Sequence, residues 1–137
     1  MSIEKLIGNT PLVELTSFSS KPGVRIFSKL EGTNPGGSVK DRAAYGMIND
    51  ALQSGKITKD SHLIEPTSGN TGKALAMIAA IKGITISLVM PESATAERIQ
   101  TMRAYGAEVI LTPAEGTIEY SRKYAEQLAK EKGLFSS

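Results

Sequence analysis

The feature that most limits the fold is an alternation: short β-favouring runs at 24–30, 63–64, 85–90 and 108–111 are each followed by a longer segment of helical periodicity. The first helical segment, 39–53, puts Ala43, Ala44, Met47, Ile48, Ala51 and Leu52 on one face, and Gly55 stands where its end needs a residue tolerant of left-handed backbone. The second, 71–82, is apolar nearly all round through 74–81. A helix of that kind is covered on two sides, by a sheet and by a second cover that could lie outside this chain. The third, 94–105, turns Ile99 and Met102 inward, and the fourth, 118–132, turns Ile118, Ala125, Leu128 and Ala129 inward; Gly83, Gly106 and Gly133 follow the last three. Parallel strands can be joined only by crossovers, so repeated strand and helix predict an α/β fold with a parallel sheet and helices on both faces. Chemistry then belongs in the strand-to-helix loops, at the carboxyl ends of the strands. The run 7–15 precedes the repeating unit with no evident partner.

Composition narrows the chemistry. A chain of 137 residues, 40% hydrophobic and 22% charged, suits one ordinary domain or part of one. The net charge of +2 comes from interleaved acids and bases, which argues against a nucleic-acid or membrane-surface partner. With no cysteine there are no disulfides, thiolate nucleophiles or cysteine-based metal sites. His62 is accompanied by neither G-x-S-x-G nor H-E-x-x-H and is expected at the mouth of the 63–64 strand, partly solvated. The apolar stretch 74–81 is too short to span a bilayer, and the opening M-S-I-E-K-L-I-G-N-T-P lacks the apolar run of a signal peptide, so a cytoplasmic location is expected. Small-molecule chemistry is the reading that remains.

Two loops stand out. In N-P-G-G-S-V-K-D-R (34–42), Lys40 falls in the first turn of a helix, where the open N–H groups disfavour a cation by a few tenths to about 1 kcal/mol. Ser38 and Asp41 have an adequate structural task there as an S-x-x-D capping box. Lys40 does not: either its stem simply leads the amine into solvent, or the place favours a neutral, nucleophilic amine able to bond a carbonyl cofactor. In E-P-T-S-G-N-T-G (65–72), Thr67, Ser68, Asn70 and Thr71 surround Gly69 just before the second helix. One helix cap needs one such residue; four supply enough donors for a carboxylate or phosphate. Gly72-Lys73 resembles the end of a Walker A loop, but Thr67 stands where that loop needs glycine and Ala74 where it needs serine or threonine. No G-x-G-x-x-G follows any strand, which removes a dinucleotide fingerprint.

These loops, with I-G-N-T-P-L (7–12), A-M-I-A-A-I-K-G (76–83), M-P-E-S (90–93) and M-R-A-Y-G-A-E (102–108), resemble the fold-type II pyridoxal-phosphate enzymes of the cysteine synthase and cystathionine β-synthase family. The likeness runs nearly end to end and leans towards bacterial cysteine synthase (O-acetylserine sulfhydrylase) of the B type. It implies pyridoxal 5'-phosphate as cofactor, Lys40 as the Schiff-base lysine and α-proton base, and Asn70 as the partner of the cofactor's 3′ oxygen. Thr67, Ser68 and Thr71 would grip the substrate carboxylate. The implied reaction is β-replacement, O-acetylserine plus sulfide giving cysteine.

The resemblance also implies that residues 1–36 belong with a larger domain and that 37–137 form a small α/β domain. The family's glycine- and threonine-rich phosphate loop, its serine at the pyridine nitrogen and a glutamine near the substrate carboxylate have no counterpart here, so the chain reads as an amino-terminal portion. A homodimer when complete and serine acetyltransferase as a partner are further implications. Lys73 departs from the family, which usually has an aliphatic residue there. Two alternatives stay open: part of a cystathionine β-synthase, which shares P-G-G-S-V-K-D-R, or a non-catalytic truncated α/β module.

Overall fold

A computed structural model of the chain describes residues 2–67 and 69–132. Ser68 and the expected helix-ending Gly133 lie outside the described residues. The opening segment holds two short strands, β1 (Leu12–Glu14) and β2 (Phe27–Lys29), paired antiparallel with Leu12 opposite Lys29. Then follow α1 (Lys40–Gln53), β3 (His62–Pro66), α2 (Asn70–Lys82), β4 (Thr85–Pro91), α3 (Ala96–Ala104), β5 (Glu108–Thr112) and α4 (Thr117–Lys132). The last three strands form a parallel sheet in the order β3-β4-β5.

The central strand shows why this sheet is stable. From Ile86 to Pro91 every residue of β4 is buried, as a parallel strand covered on both faces requires. Because side chains alternate along a strand, Ile86, Leu88 and Met90 join a cluster with Leu75, Ile78 and Met102. Val89 enters a second cluster with Ile64, Ala125 and Ala129 of α4. Helices therefore cover both faces, α2 on one and α4 on the other, and each fully buried leucine or isoleucine contributes about 1.5–3 kcal/mol. Gly83 ends α2 at φ 69°, and Gly55 and Gly106 follow α1 and α3 at φ 74° and 88°.

Four expectations are corrected. The run 24–30 does not join the parallel sheet; only 27–29 is strand, and it pairs with the segment 7–15 that lacked a partner. Its side chains are exposed or half-buried, too little cover for an interior parallel strand. The apolar α2 needs no cover from outside: α1 packs along it and α3 adds further contact. The inward stripe of α1 is also narrower than read, with Ala44 and Ile48 buried while Ala43 and Met47 are exposed, and Ile118 of α4 is exposed as well. A helix that packs mainly on one neighbour buries only the residues on its contact line.

Candidate functional site

The carboxyl end of β3 and the starts of three helices meet around a cleft of about 370 Å³, lined by Lys40, Pro66, Thr67, Gly69, Asn70, Thr71 and Ile118. Of the five residues expected to carry chemistry, four line this one cleft, and the fifth, Ser68, lies outside the described residues. Lys40 is the first residue of α1 and exposed, so its amine is reachable. Asn70 opens α2 and is exposed; Thr71 is half-buried.

Thr67 is different. It is 4% exposed, its backbone N–H donates to the Val89 carbonyl at 2.9 Å, and its Oγ1 has no hydrogen-bond partner. A buried hydroxyl without a partner costs about 1–3 kcal/mol, a cost that a ligand oxygen in the cleft would remove. Its side chain lies against Gly72: a Cβ there would stand 2.5 Å from Thr67 Cγ2 and 2.7 Å from Oγ1. Glycine is therefore what admits threonine to this wall. The cap position of α2 is Gly69, which has no side chain, and among the described residues no side chain caps this helix start. An orphaned hydroxyl beside a helix start fits a group bearing anionic oxygens.

The loop before Lys40 is built in another way than a capping box. Ser38 Oγ accepts from the Lys40 N–H at 3.2 Å, but Asp41 does not reach back to Ser38. It turns beneath the loop, where Oδ2 accepts the Gly36 N–H at 2.5 Å and Oδ1 has no hydrogen-bond partner. Asp41 is fully buried. Burial raises its carboxyl above the ordinary range, opposed by the Gly36 N–H and the charge of Lys73. The geometry fails as a capping box because Gly36, lacking Cβ, lets the carboxylate approach closer than any other loop residue would allow.

Behind this loop an ionic knot joins the opening segment to α1. Arg42 donates from Nε and Nη2 to Glu31 at 2.9 and 3.0 Å; Thr10 and Asn34 also donate to Glu31, at 2.6 and 2.8 Å. These contacts, Arg42 first, lower the Glu31 carboxyl to about 2. Asn34 Oδ1 in turn accepts the Gly8 N–H at 2.8 Å.

Two features, one lining the cleft and one beneath its loop, escaped the sequence. Asp41 was given a capping task, although paired glycines just before a helical acid are a signal for close backbone approach. Ile118 was placed inward on α4; it follows β5, so the rule that loops at the carboxyl ends share one edge could have found it. His62, half-buried, begins β3 as expected, and its Nε2 lies 2.7 Å from Ser87 Oγ. Among the described residues no helix is long and apolar enough to cross a membrane, and no cluster of metal-ligating side chains is present.

Comparison with known proteins gives the family. The profile of a family described as pyridoxal-phosphate dependent enzyme matches residues 3–136. A probable cysteine synthase of Bacillus subtilis is 52% identical over 126 residues, covering 92% of this chain and 40% of that protein. Cysteine synthase B of Escherichia coli is 52% identical over 128 residues, covering 93% and 42%. Among solved structures, cysteine synthase from Entamoeba histolytica superposes with a TM-score of 0.92 at 37% identity, over 98% of this chain and 41% of that one. The chain thus spans about two-fifths of the length of the relatives it matches. With a cleft of the expected residues and a profile match along almost its whole length, the chain belongs to the pyridoxal-phosphate dependent enzyme family.

Proposed function

We propose that this chain is the amino-terminal part of a cysteine synthase, which makes cysteine from O-acetylserine and sulfide. The observation that carries the reading is the convergence of Lys40 with Thr67, Asn70 and Thr71 on one cleft at the end of a parallel strand. Lys40 would hold pyridoxal phosphate covalently through Nζ, and Asn70 would donate to the oxygen on its ring. When bound, the cofactor supplies an electron sink for the carbanion formed at the substrate's α-carbon. The residues of this chain do the rest of what can be assigned. Thr67, Thr71 and Ser68 would hold the substrate carboxylate, and Thr67 Oγ1, buried and without a partner, is a donor ready for it. That grip would orient the α-proton towards Lys40 Nζ, which as a free amine would accept it.

The division at residue 36 is part of the same proposal. The antiparallel pair β1-β2 forms a sheet of its own and leaves Leu12, Phe18, Val24 and Phe27 exposed, as expected of a segment that completes another domain. The remainder, 37–137, carries the parallel sheet and the cleft.

The test is a chimera joining this chain to the remaining part of the Escherichia coli relative. Borohydride reduction with pyridoxal phosphate should label Lys40, and the chimera should form cysteine from O-acetylserine and sulfide, with Lys40→Ala reducing turnover at least 1,000-fold, on the order expected for loss of an anchor that is also the base. Product formed from homocysteine in preference to sulfide would move the assignment to cystathionine β-synthase. No labelling of Lys40 would refute the anchor.

A further inference from the structure

We propose that Asp41 is a positioning residue: its buried carboxylate grips the Gly36 backbone from beneath and so fixes the loop that presents Lys40 to the cleft. The inference rests on the reading of Lys40 as the cofactor-bearing amine, but its structural content stands by itself. Asp41 follows Lys40 directly in the first turn of α1 and is fully buried. A carboxylate is put in such a place at a cost unless it is used, because burial without full hydrogen bonding is unfavourable. Here one oxygen accepts the Gly36 N–H at 2.5 Å while the other would lie 2.4 Å from a Cβ on Gly36. The loop cannot move inward, because the carboxylate fills the space where a side chain would be. It cannot lift outward without stranding a buried acceptor.

The contact also spans exactly the residues between loop and helix that set the direction of Lys40. Gly37, next in the chain, turns at φ 87°, and Asn34, 3% exposed, anchors the other end through Glu31 and Gly8. The second wall contributes as well. Lys73, in the first turn of α2, acts on the Asp41 carboxylate by charge, and its Nζ lies 4.0 Å from where a Cβ on Gly37 would stand. Asp41 therefore lies at one of the three helix starts around the cleft and within reach of the charge of a second, that of α2.

Amide hydrogen exchange on the 137-residue chain tests this. In Asp41→Ala, the Gly36 N–H should exchange roughly 10- to 100-fold faster, the worth of a hydrogen bond to a charged acceptor, while the amides of β4 keep their protection. Asp41→Asn keeps a carbonyl acceptor without the charge and should restore part of the protection, to within about tenfold of the parent at Gly36. Gly36→Ala should speed exchange along 36–40 in the parent but add little in the Asp41→Ala background, where the obstructing oxygen is gone. Unchanged Gly36 exchange in Asp41→Ala, or an equal effect of Gly36→Ala in both backgrounds, would overturn the assignment. So would a uniform loss of protection that includes β4 and is not rescued by Asp41→Asn. If Lys40 of the chimera fails to take the label while this exchange pattern holds, the cofactor reading falls and the role of Asp41 in holding the loop stands.

Discussion

Gly72→Ala should destabilise the chain although alanine is the better helix former. Glycine inside a helix costs about 1 kcal/mol relative to alanine, so at an open position the substitution would stabilise α2 by that amount. At position 72 the new methyl would stand 2.5 Å from Thr67 Cγ2, 2.7 Å from Thr67 Oγ1 and 3.0 Å from Met102 Cε. The methionine can swing away, but Thr67 is buried and β-branched, with little rotamer freedom. Overpacking of this kind costs about 1–3 kcal/mol, which leaves a net loss of roughly 0–2 kcal/mol. The same substitution made on Thr67→Ala meets neither of the two closest atoms, so there it should stabilise by up to about 1 kcal/mol. Urea unfolding followed by circular dichroism at 222 nm reads all four chains. Equal effects in the two backgrounds, or stabilisation by Gly72→Ala alone, would show that Thr67 does not lie on Gly72 and would dissolve the cleft wall described above.

Three more outcomes follow from particular contacts. The Glu31 carboxyl is lowered from 4.5 to about 2, so its contribution to stability is present above pH 4.5 and is lost as pH falls towards 2; acid unfolding of Glu31→Gln should lack that part of the pH dependence. Asn34→Ala removes the partner of the half-buried Gly8 N–H and one of the donors to Glu31, and should cost about 1–2 kcal/mol in the same urea assay. Thr117, a β-branched residue at φ 55° and ψ −170°, occupies backbone space that suits glycine, so Thr117→Gly should stabilise by about 1 kcal/mol after the entropy of glycine is subtracted.

The parallel sheet was legible because burial on both faces leaves a mark in one sequence: 85–90 is apolar enough that no other element suits it, and the helices after 64, 90 and 111 repeat at 3.6 residues. The strand at 24–30 was misplaced because an isolated antiparallel pair and an edge of a parallel sheet read alike in seven residues. What separates them is the partner, and the partner 12–14 is only three residues long. The cover of α2 was misjudged for a related reason, since periodicity reports that a face is buried without saying by which element. Lys40, Thr67, Asn70 and Thr71 were legible as unusual residues in two loops. That the loops share a cleft follows from topology: both helix starts lie at the carboxyl end of β3, one following it in sequence and the other packed beside α2.

Asp41 was not legible because its role is a negative one, the filling of space that a missing Cβ leaves. The same construction recurs on the opposite wall. Asp41 lies on Gly36, and Thr67 lies on Gly72. In each case a polar side chain from one end of a loop-helix junction rests on a glycine of the other end, and in each case that side chain has an oxygen without a hydrogen-bond partner. The two differ in where the oxygen is placed. Thr67 lines the cleft, so its free hydroxyl can be satisfied by a ligand; Asp41 does not, so its carboxylate stays within the protein, where Oδ2 holds the Gly36 backbone. One pair is therefore suited to binding and the other to holding, and a substitution at Gly72 should be felt first in ligand affinity where one at Gly36 is felt first in the orientation of Lys40.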